Sequence, residues 1–306
     1  MIVTVTMNPA IDKTVEIDHL HPGGLNRICR VEYDAGGKGI NVSKTICELG
    51  GESLATGFLA GNAGRTIESV LDKKKIAHEF LWVDGETRTN TKVFEKSGAV
   101  TELNEPGPEI SEKHVNMLLQ KLSSLANEDV LFVLAGSLPK GVRPGIYGDI
   151  IDILHEKGAQ VLVDADGDVL RYALKARPDL IKPNEEELER TMGIQENREV
   201  LFTQVKQLQQ EGIHTIAISK GKEGACFWIG DKTFCCPALQ VEAHSTVGAG
   251  DAMVAALSYA WQEHLDEEET VRLCMATSAG AVTTIGTKPP SKELVEHLKK
   301  EVTFLK

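Results

Sequence analysis

The sequence predicts an α/β protein: a doubly wound, mainly parallel sheet with helices on both faces, plus a small β-sheet lid. Three observations predict it. From Ser111 onward, helical and strand patterns alternate: helix to about Leu125, strand Val130 to Leu134, helix Pro144 to Glu156, strand Gln160 to Asp164. Parallel strands joined by crossover helices need that rhythm. Two stretches, about 13–34 and 87–104, break it with hairpin patterns and no helix between their strands. Glycine-rich turns stand where helices begin, at Asp34 to Val42 and at Ser245 to Asp251. With 306 residues, 42% of them hydrophobic, the chain can bury a large core, and it reads as one domain over 1–306 with the two hairpins as its lid.

Ile2 to Thr6 is the first strand, and Asn8-Pro9-Ala10-Ile11-Asp12 turns away from its C-terminal end. Ligands bind at that end in open α/β sheets. Asp12 can there accept hydrogen bonds from a polyol, or simply hold the turn. Lys13 to Ile17 and Arg27 to Tyr33 read as strands joined by His21-Pro22-Gly23-Gly24. Next, Asp34-Ala35-Gly36-Gly37-Lys38-Gly39-Ile40-Asn41-Val42 starts a helix that ends near Leu49-Gly50-Gly51. Its glycines let backbone approach a ligand, and Lys38 adds a mobile charge. It is no dinucleotide fingerprint, because the third glycine would fall on Val42, and no Walker A loop.

Glu52 to Leu59 is a strand and Asn62 to Lys75 a helix. Thr87 to Val93 alternates with period two, which places Arg88, Asn90 and Lys92 on one strand face. Such a face suits a phosphate, or protects a sheet edge. Ala99 to Asn104 pairs with it as a second hairpin.

Asp164, Asp166 and Asp168 do not form a calcium loop, since Val169 and Lys175 stand where glycine and glutamate are needed. They are expected as loop and cap residues. Asn184 and Glu187 make a capping box after Lys182-Pro183, and the same pair can orient water on a Mg²⁺. Ile213 to Ser219 is a strand, and Ser219-Lys220-Gly221-Lys222-Glu223-Gly224 turns into strand Ala225 to Ile229. That turn either only reverses the chain or touches a nucleotide. Leu239, Val241 and Ala243 alternate as a strand does, leading into Ser245-Thr246-Val247-Gly248-Ala249-Gly250-Asp251 and the apolar helix Ala252 to Trp261. Glycines on both sides of Ala249 gather N–H groups at the positive helix end, where an anion is held. Asp251 beside them is a helix cap or the base for an attacking hydroxyl. Helices Glu267 to Thr284 and Ser291 to Val302 follow, with Gly286 to Pro290 as a candidate wall for adenine.

A net charge of −12 excludes nucleic acid and anionic membrane as partners. No signal peptide and no apolar run of about 18 residues is present, so the expected location is cytoplasmic. Cys29, Cys47, Cys226, Cys235, Cys236 and Cys274 show no CxxC spacing, neighbouring Cys235 and Cys236 suit neither a zinc site nor an unstrained bridge, and the six are expected to be buried small residues. The nine histidines form no metal motif.

Six segments fall in an order that resembles the ribokinase-like carbohydrate kinases, and within them the phosphosugar branch. They are Thr6 to Asp12, Gly36 to Val42, Arg88-Thr89-Asn90-Thr91, Gly136-Ser137-Leu138-Pro139, Lys182-Pro183-Asn184-Glu185-Glu186-Glu187 and Thr246 to Asp251. The resemblance implies MgATP as donor and a sugar-phosphate hydroxyl as acceptor. Asp251 would be the base, with Gly248, Ala249 and Gly250 holding the transferring group. Asp12, Gly37 and Asn41 would bind sugar hydroxyls. Lys38, Arg88 and Asn90, with Arg27 and Lys92 as weaker candidates, would hold the substrate's own phosphate. Asn184 and Glu187 would serve Mg²⁺ through water. Asn184, Ser219, Gly221, Gly224 and Thr246 would meet the nucleotide. The implied acceptor is a ketose phosphate: fructose 1-phosphate giving fructose 1,6-bisphosphate, with tagatose 6-phosphate as the alternative. A homodimer through the lid is also implied. Ser245 stands where the wider family usually has Asp, a change the phosphosugar branch tolerates. A sensor that has lost catalysis on the same fold would have no need of Asp251 and its glycines.

Overall fold

A computed structural model describes residues 1–193 and 198–305. The first half of the chain runs β1 (Ile2–Thr6), β2 (Ala10–Ile17), β3 (Arg30–Gly36), α1 (Lys38–Leu49), β4 (Ser53–Leu59), α2 (Gly61–Lys73), β5 (Ala77–Trp82), β6 (Arg88–Glu95), β7 (Val100–Asn104), α3 (Glu112–Leu125), β8 (Leu131–Ala135) and α4 (Ile146–His155). The second half runs β9 (Gln160–Asp164), α5 (Gly167–Lys175), β10 (Leu180–Ile181), α6 (Glu185–Met192), α7 (Arg198–Gln210), β11 (Thr215–Ser219), β12 (Ala225–Ile229), β13 (Lys232–Cys236), α8 (Ala249–Gln262), α9 (Glu267–Val282) and α10 (Lys292–Lys299).

Nine strands form one sheet in the order β13-β12-β11-β10-β9-β8-β1-β4-β5. Pairing is parallel except at the β11-β12-β13 edge. Its central strands are apolar on both faces, as a sheet covered on both sides requires. Val3, Val5, Phe132, Leu134, Val161 and Val163 bury against Leu118 and Leu122 of α3, Ile150 and Leu154 of α4, and Leu170 of α5. The alternate residues Ile2, Leu131, Val133 and Leu162 bury on the other face with Val42 and Ile46 of α1, Val254 and Leu257 of α8, and Val271 of α9. Consecutive side chains therefore feed two cores, and α8, buried almost all round, lies between α1 and α9. Among the described residues no helix is long and apolar enough to cross a membrane.

The second sheet has the order β3-β2-β6-β7. The two hairpins meet by a parallel β2–β6 pairing that sets Ala10 opposite Arg88 and Asp12 opposite Asn90. Its first hairpin differs from the expected one. Asp12 lies inside β2 and not in a turn, and Arg27 precedes β3 in an exposed connection. The Asn26 side chain closes that connection, accepting from the His21 N–H and donating to the His21 and Gly24 carbonyls, so pairing with β2 resumes only at Arg30.

Three other expectations need correction. Leu239 to Ala243 forms no strand. Pro237 supplies no N–H to continue a ladder beyond β13, and the chain leaves the sheet there. Cys226 and Cys235 are bonded, because the β12–β13 register sets them directly opposite at a Cα separation of 4.1 Å. Cys236 and Cys274 are buried as expected, whereas Cys29 is exposed and Cys47 half-buried. Lastly, Asp164 is no loop residue: it ends β9 and is 1% exposed.

Candidate active site

The N-terminus of α8 starts at Gly248, whose φ of +84° is a left-handed cap that glycine adopts without strain. The first helical i→i−4 bond is donated by the Ala252 N–H, to the Gly248 carbonyl. The N–H groups of Gly250 and Asp251 lie ahead of it and have no partner within the helix. Upstream, the Ser245 hydroxyl accepts from the Val247 N–H at 3.2 Å, which fixes the turn without an aspartate at position 245. Thr246 leads into the turn and accepts weakly from Ala249 at 3.5 Å.

Asp251 is 7% exposed, and its Oδ2 accepts from Asn41 Nδ2 at 2.8 Å. Burial, which disfavours the charged form, pushes its pKa up to about 6. Asp164 adds to the rise, while Lys38, the Asn41 hydrogen bond and Lys182 oppose it. A carboxylate with such a pKa is ionised at neutral pH and still basic enough to take a proton from a reacting hydroxyl.

Asn41 comes from α1, whose cap Gly37 has φ +102° and sits so close to Thr6 and Pro9 that a side chain there would collide with them. The Asn41 Oδ1 is buried with no partner. Asp12, also buried, accepts from Thr287 Oγ1 at 3.4 Å, and its carboxylate lies where a Cβ on Gly36 would be. Loop 286–290 therefore packs against Asp12 and Glu32, through Lys288 at 2.8 Å, and does not wall the cleft described next.

A cleft of about 910 Å³ runs from the α8 N-terminus along the C-terminal ends of the parallel strands. Lys38, Asp164, Lys182, Asn184 and Glu187 line one side. Ser219 to Gly224 form one wall, and Leu239, Val241 and Ala243 with Met275, Ala279 and Val282 of α9 form the other. Asn184 and Glu187 make the expected capping box, with bonds of 2.7 and 2.8 Å, and a bridge pairs Asn184 with Ser219. Gly221 has φ +53°, and Gly224 abuts the backbone of Cys236 to Ala238, which leaves no room for a Cβ. Among the described residues no three His, Cys, Asp or Glu side chains cluster as a metal cage. Glu187 uses one carboxylate oxygen in the capping box. That donor set suits a Mg²⁺ carried mainly by phosphates and water, not one caged by protein.

The floor of the cleft holds two residues to which the sequence reading gave no role. Asp164 Oδ2 lies 3.2 Å from Lys38 Nζ, and its Oδ1 lies 3.5 Å from Lys182 Nζ. Burial alone would raise the Asp164 pKa, but the two ammonium groups outweigh it and hold the carboxyl below its usual range. Burial likewise works against the charge on Lys38, yet Asp164, Asp251 and Glu187 keep it firmly protonated. Lys182, 3% exposed, also approaches the helix end: a Cβ on Gly250 would lie 3.3 Å from its Nζ. The signals were the lysine before Pro183 and the position of Asp164 at the ligand end of a parallel strand.

Lys38 lines this floor through its ion pair with Asp164, and Arg88 and Asn90 stand on β6. Arg88 donates to the Asn8 carbonyl through Nε and Nη2 at 3.2 and 3.1 Å, to Glu105 O through Nη1 at 3.4 Å and to Ser137 Oγ at 3.3 Å. Asn8 in turn donates to Pro106 O and Leu138 O, so it ties β1 to the segments that follow β7 and β8. Asn90 keeps a buried, unpartnered Oδ1, and Lys92 is buried. Arg27 lies on the exposed connection and is not brought to the cleft within one chain.

This geometry agrees with what the chain is similar to. It is 35% identical to the 1-phosphofructokinase of Vibrio cholerae serotype O1, over 98% of this chain and 95% of the relative. It is 36% identical to that of Haemophilus influenzae, over 92% and 90%. A crystal structure of Escherichia coli phosphofructokinase-2 in complex with substrates and products superposes with a TM-score of 0.93 at 26% identity, covering 98% of each chain. The model of the pfkB family of carbohydrate kinases matches residues 2–294, and the chain belongs to that family.

Proposed function

We propose that the protein transfers the γ-phosphoryl group of ATP to the 6-hydroxyl of fructose 1-phosphate, yielding fructose 1,6-bisphosphate and ADP. The observation that carries this is Asp251: buried, hydrogen-bonded to Asn41, its pKa pushed up to about 6, and placed at a helix end where the Gly250 and Asp251 N–H groups have no partner within the helix. Asp251 takes the hydroxyl proton as the oxygen attacks the γ-phosphorus. The bond to the ADP oxygen breaks on the opposite side. The N–H groups of Gly248, Ala249 and Gly250 receive the charge on the transferring group.

Asp12, Gly37 and Asn41 orient the sugar, and the unpartnered Asn41 Oδ1 is a ready acceptor for a hydroxyl. Arg88 and Asn90, with Lys92 and Arg27, serve the phosphate already on the sugar, because an acidic chain must offset that charge locally. Lys38 serves the phosphates from the cleft floor. Ser219, Gly221, Gly224 and Thr246 meet the nucleotide; Asn184 and Glu187 would hold its Mg²⁺ through water, and the ion would supply charge to offset the phosphates. The small sheet acts as lid and as dimer contact within one domain of 1–306. Leu25, Tyr33 and Leu103 of that sheet and its connection are 76, 60 and 60% exposed, an apolar surface that a second copy would cover. The protein acts in the cytoplasm.

The test is ADP release from MgATP with fructose 1-phosphate, tagatose 6-phosphate, fructose 6-phosphate and free fructose. Highest kcat/KM on fructose 1-phosphate is expected. Preference for another acceptor overturns the substrate assignment, and ATP binding without turnover of any acceptor overturns the kinase reading.

A further inference from the structure

Asp164 is the most deeply buried carboxylate of the cleft, and the proton transfer described above does not use it. It ends β9 opposite Ala135, and its own carbonyl accepts from the Gly136 N–H at 3.0 Å, so its backbone is fixed by the sheet. Neither carboxylate oxygen has a hydrogen-bond partner at normal geometry; each faces one ammonium, Lys38 at 3.2 Å and Lys182 at 3.5 Å. The two lysines come from different elements, the first turn of α1 and the segment after β10. Both line the cleft that ends at Gly250 and Asp251.

Lys182 is buried and Lys38 is 37% exposed; two like charges held on either side of one buried group repel each other, a cost that a carboxylate between them offsets. Were Asp164 uncharged, the nearest remaining carboxylates for these ammoniums would be those acting on Lys38, namely Asp251 and Glu187. A lysine captured by Asp251 would block the base and leave its own post.

Resting on the kinase reading, we propose that Asp164 is a positioning residue that spans Lys38 and Lys182, holding one ammonium on each side of the path of the transferring phosphoryl group and away from Asp251. Asp164 touches neither substrate. It acts through the lysines, which contact phosphate oxygens while the α8 amides contact others. No covalent step is added to the reaction.

A double-mutant cycle separates this role from a merely structural one. Asp164→Asn keeps the shape and removes the charge. In the otherwise wild-type enzyme it is expected to lower kcat about 30-fold, since small misplacements of charged groups cost that much. KM for fructose 1-phosphate should move less than about threefold, because the sugar groups are separate. In a Lys38→Met/Lys182→Met background, already slow, the same change should alter kcat less than about threefold. An equal loss in both backgrounds overturns the proposal. So does a loss that saturating Mg²⁺ restores, which would place Asp164 on the metal's water and not on the lysines. If Asp164→Asn does not fold, the cycle is run with Asp164→Glu, which keeps the charge and displaces it by one methylene; the same non-additivity is required. Absence of turnover by the unmodified enzyme in this assay counts against the kinase reading, whereas turnover with an additive cycle counts against the clamp alone.

Discussion

Two helices of this protein begin alike and use the likeness differently. α1 opens Gly37-Lys38-Gly39 and α8 opens Gly248-Ala249-Gly250, each with a positive-φ glycine cap and a second glycine two positions later. A Cβ on Gly39 would strike Thr6 Oγ1 and lie 3.1 Å from the Val5 carbonyl oxygen. A Cβ on Gly250 would meet only the end of the Lys182 side chain, at 3.3 Å. The first turn is therefore glycine because backbone is pressed against backbone. The second is glycine because space must stay open at a helix end for a ligand. The same spacing in sequence serves packing in one case and binding in the other, and the two turns meet through the Asn41–Asp251 hydrogen bond.

Substitutions at matching positions sharpen that contrast. The largest effect belongs to Asp251→Asn, which is expected to lower kcat by about 10⁴ while MgATP still binds. The same change should raise stability. The folded pKa of Asp251 lies above the value of 3.8 for a free aspartate, so its protonated form is the one folding favours. That contribution is complete below pH 4 and is lost as pH rises through about 6. At pH 7.5 the variant should thus melt a few degrees higher, by on the order of 2 kcal/mol, with the gap closing below pH 4. Equal melting temperatures at both pH values would show that the carboxylate is not under strain from burial.

Next comes Gly39→Ala, expected to cost about 3 kcal/mol in urea unfolding, because neither Thr6 nor the Val5 backbone can yield. Gly250→Ala should leave stability within about 1 kcal/mol, since alanine favours a helix, yet lower kcat about 30-fold by crowding the anion site. If Gly250→Ala unfolds the protein and Gly39→Ala merely slows it, the contrast is reversed. The smallest effect is expected of Gly248→Ala, about 1 kcal/mol of left-handed strain, as the nearest atoms to its Cβ, those of Thr287, are 3.6 Å away.

Much of this was legible in the sequence, and what was not has physical reasons. The strand and helix alternation after Ser111, the Asn184 capping box and the apolar α8 all lie where their patterns place them, because each signal is local. Arg88, Asn90 and Lys92 share a strand, as their period required. Leu239 to Ala243 has a strand's alternation but no ladder to join, since its apolar residues face the cleft while Pro237 breaks the pairing. Asp164 looked like one of three loop carboxylates. Only the fold brings Lys38 and Lys182, distant in sequence, onto it. The Cys226–Cys235 bond likewise depends on the register of a hairpin whose second strand, β13, carries a weak pattern. Lys38 and Arg88, which the resemblance assigns together to the substrate's phosphate, each have partners of their own: Lys38 pairs with Asp164 and Arg88 donates to the Asn8 carbonyl.

The central claim, that Asp251 is the base at the α8 anion site, is tested most directly by the pH dependence of kcat on fructose 1-phosphate with saturating MgATP. The base must be ionised to act, so kcat should hold level above neutrality and fall on the acid side with an apparent pKa of about 6. Asp251→Asn should be slow and lack that limb. An acid limb that persists unchanged in Asp251→Asn would assign the titration to another group and contradict the account.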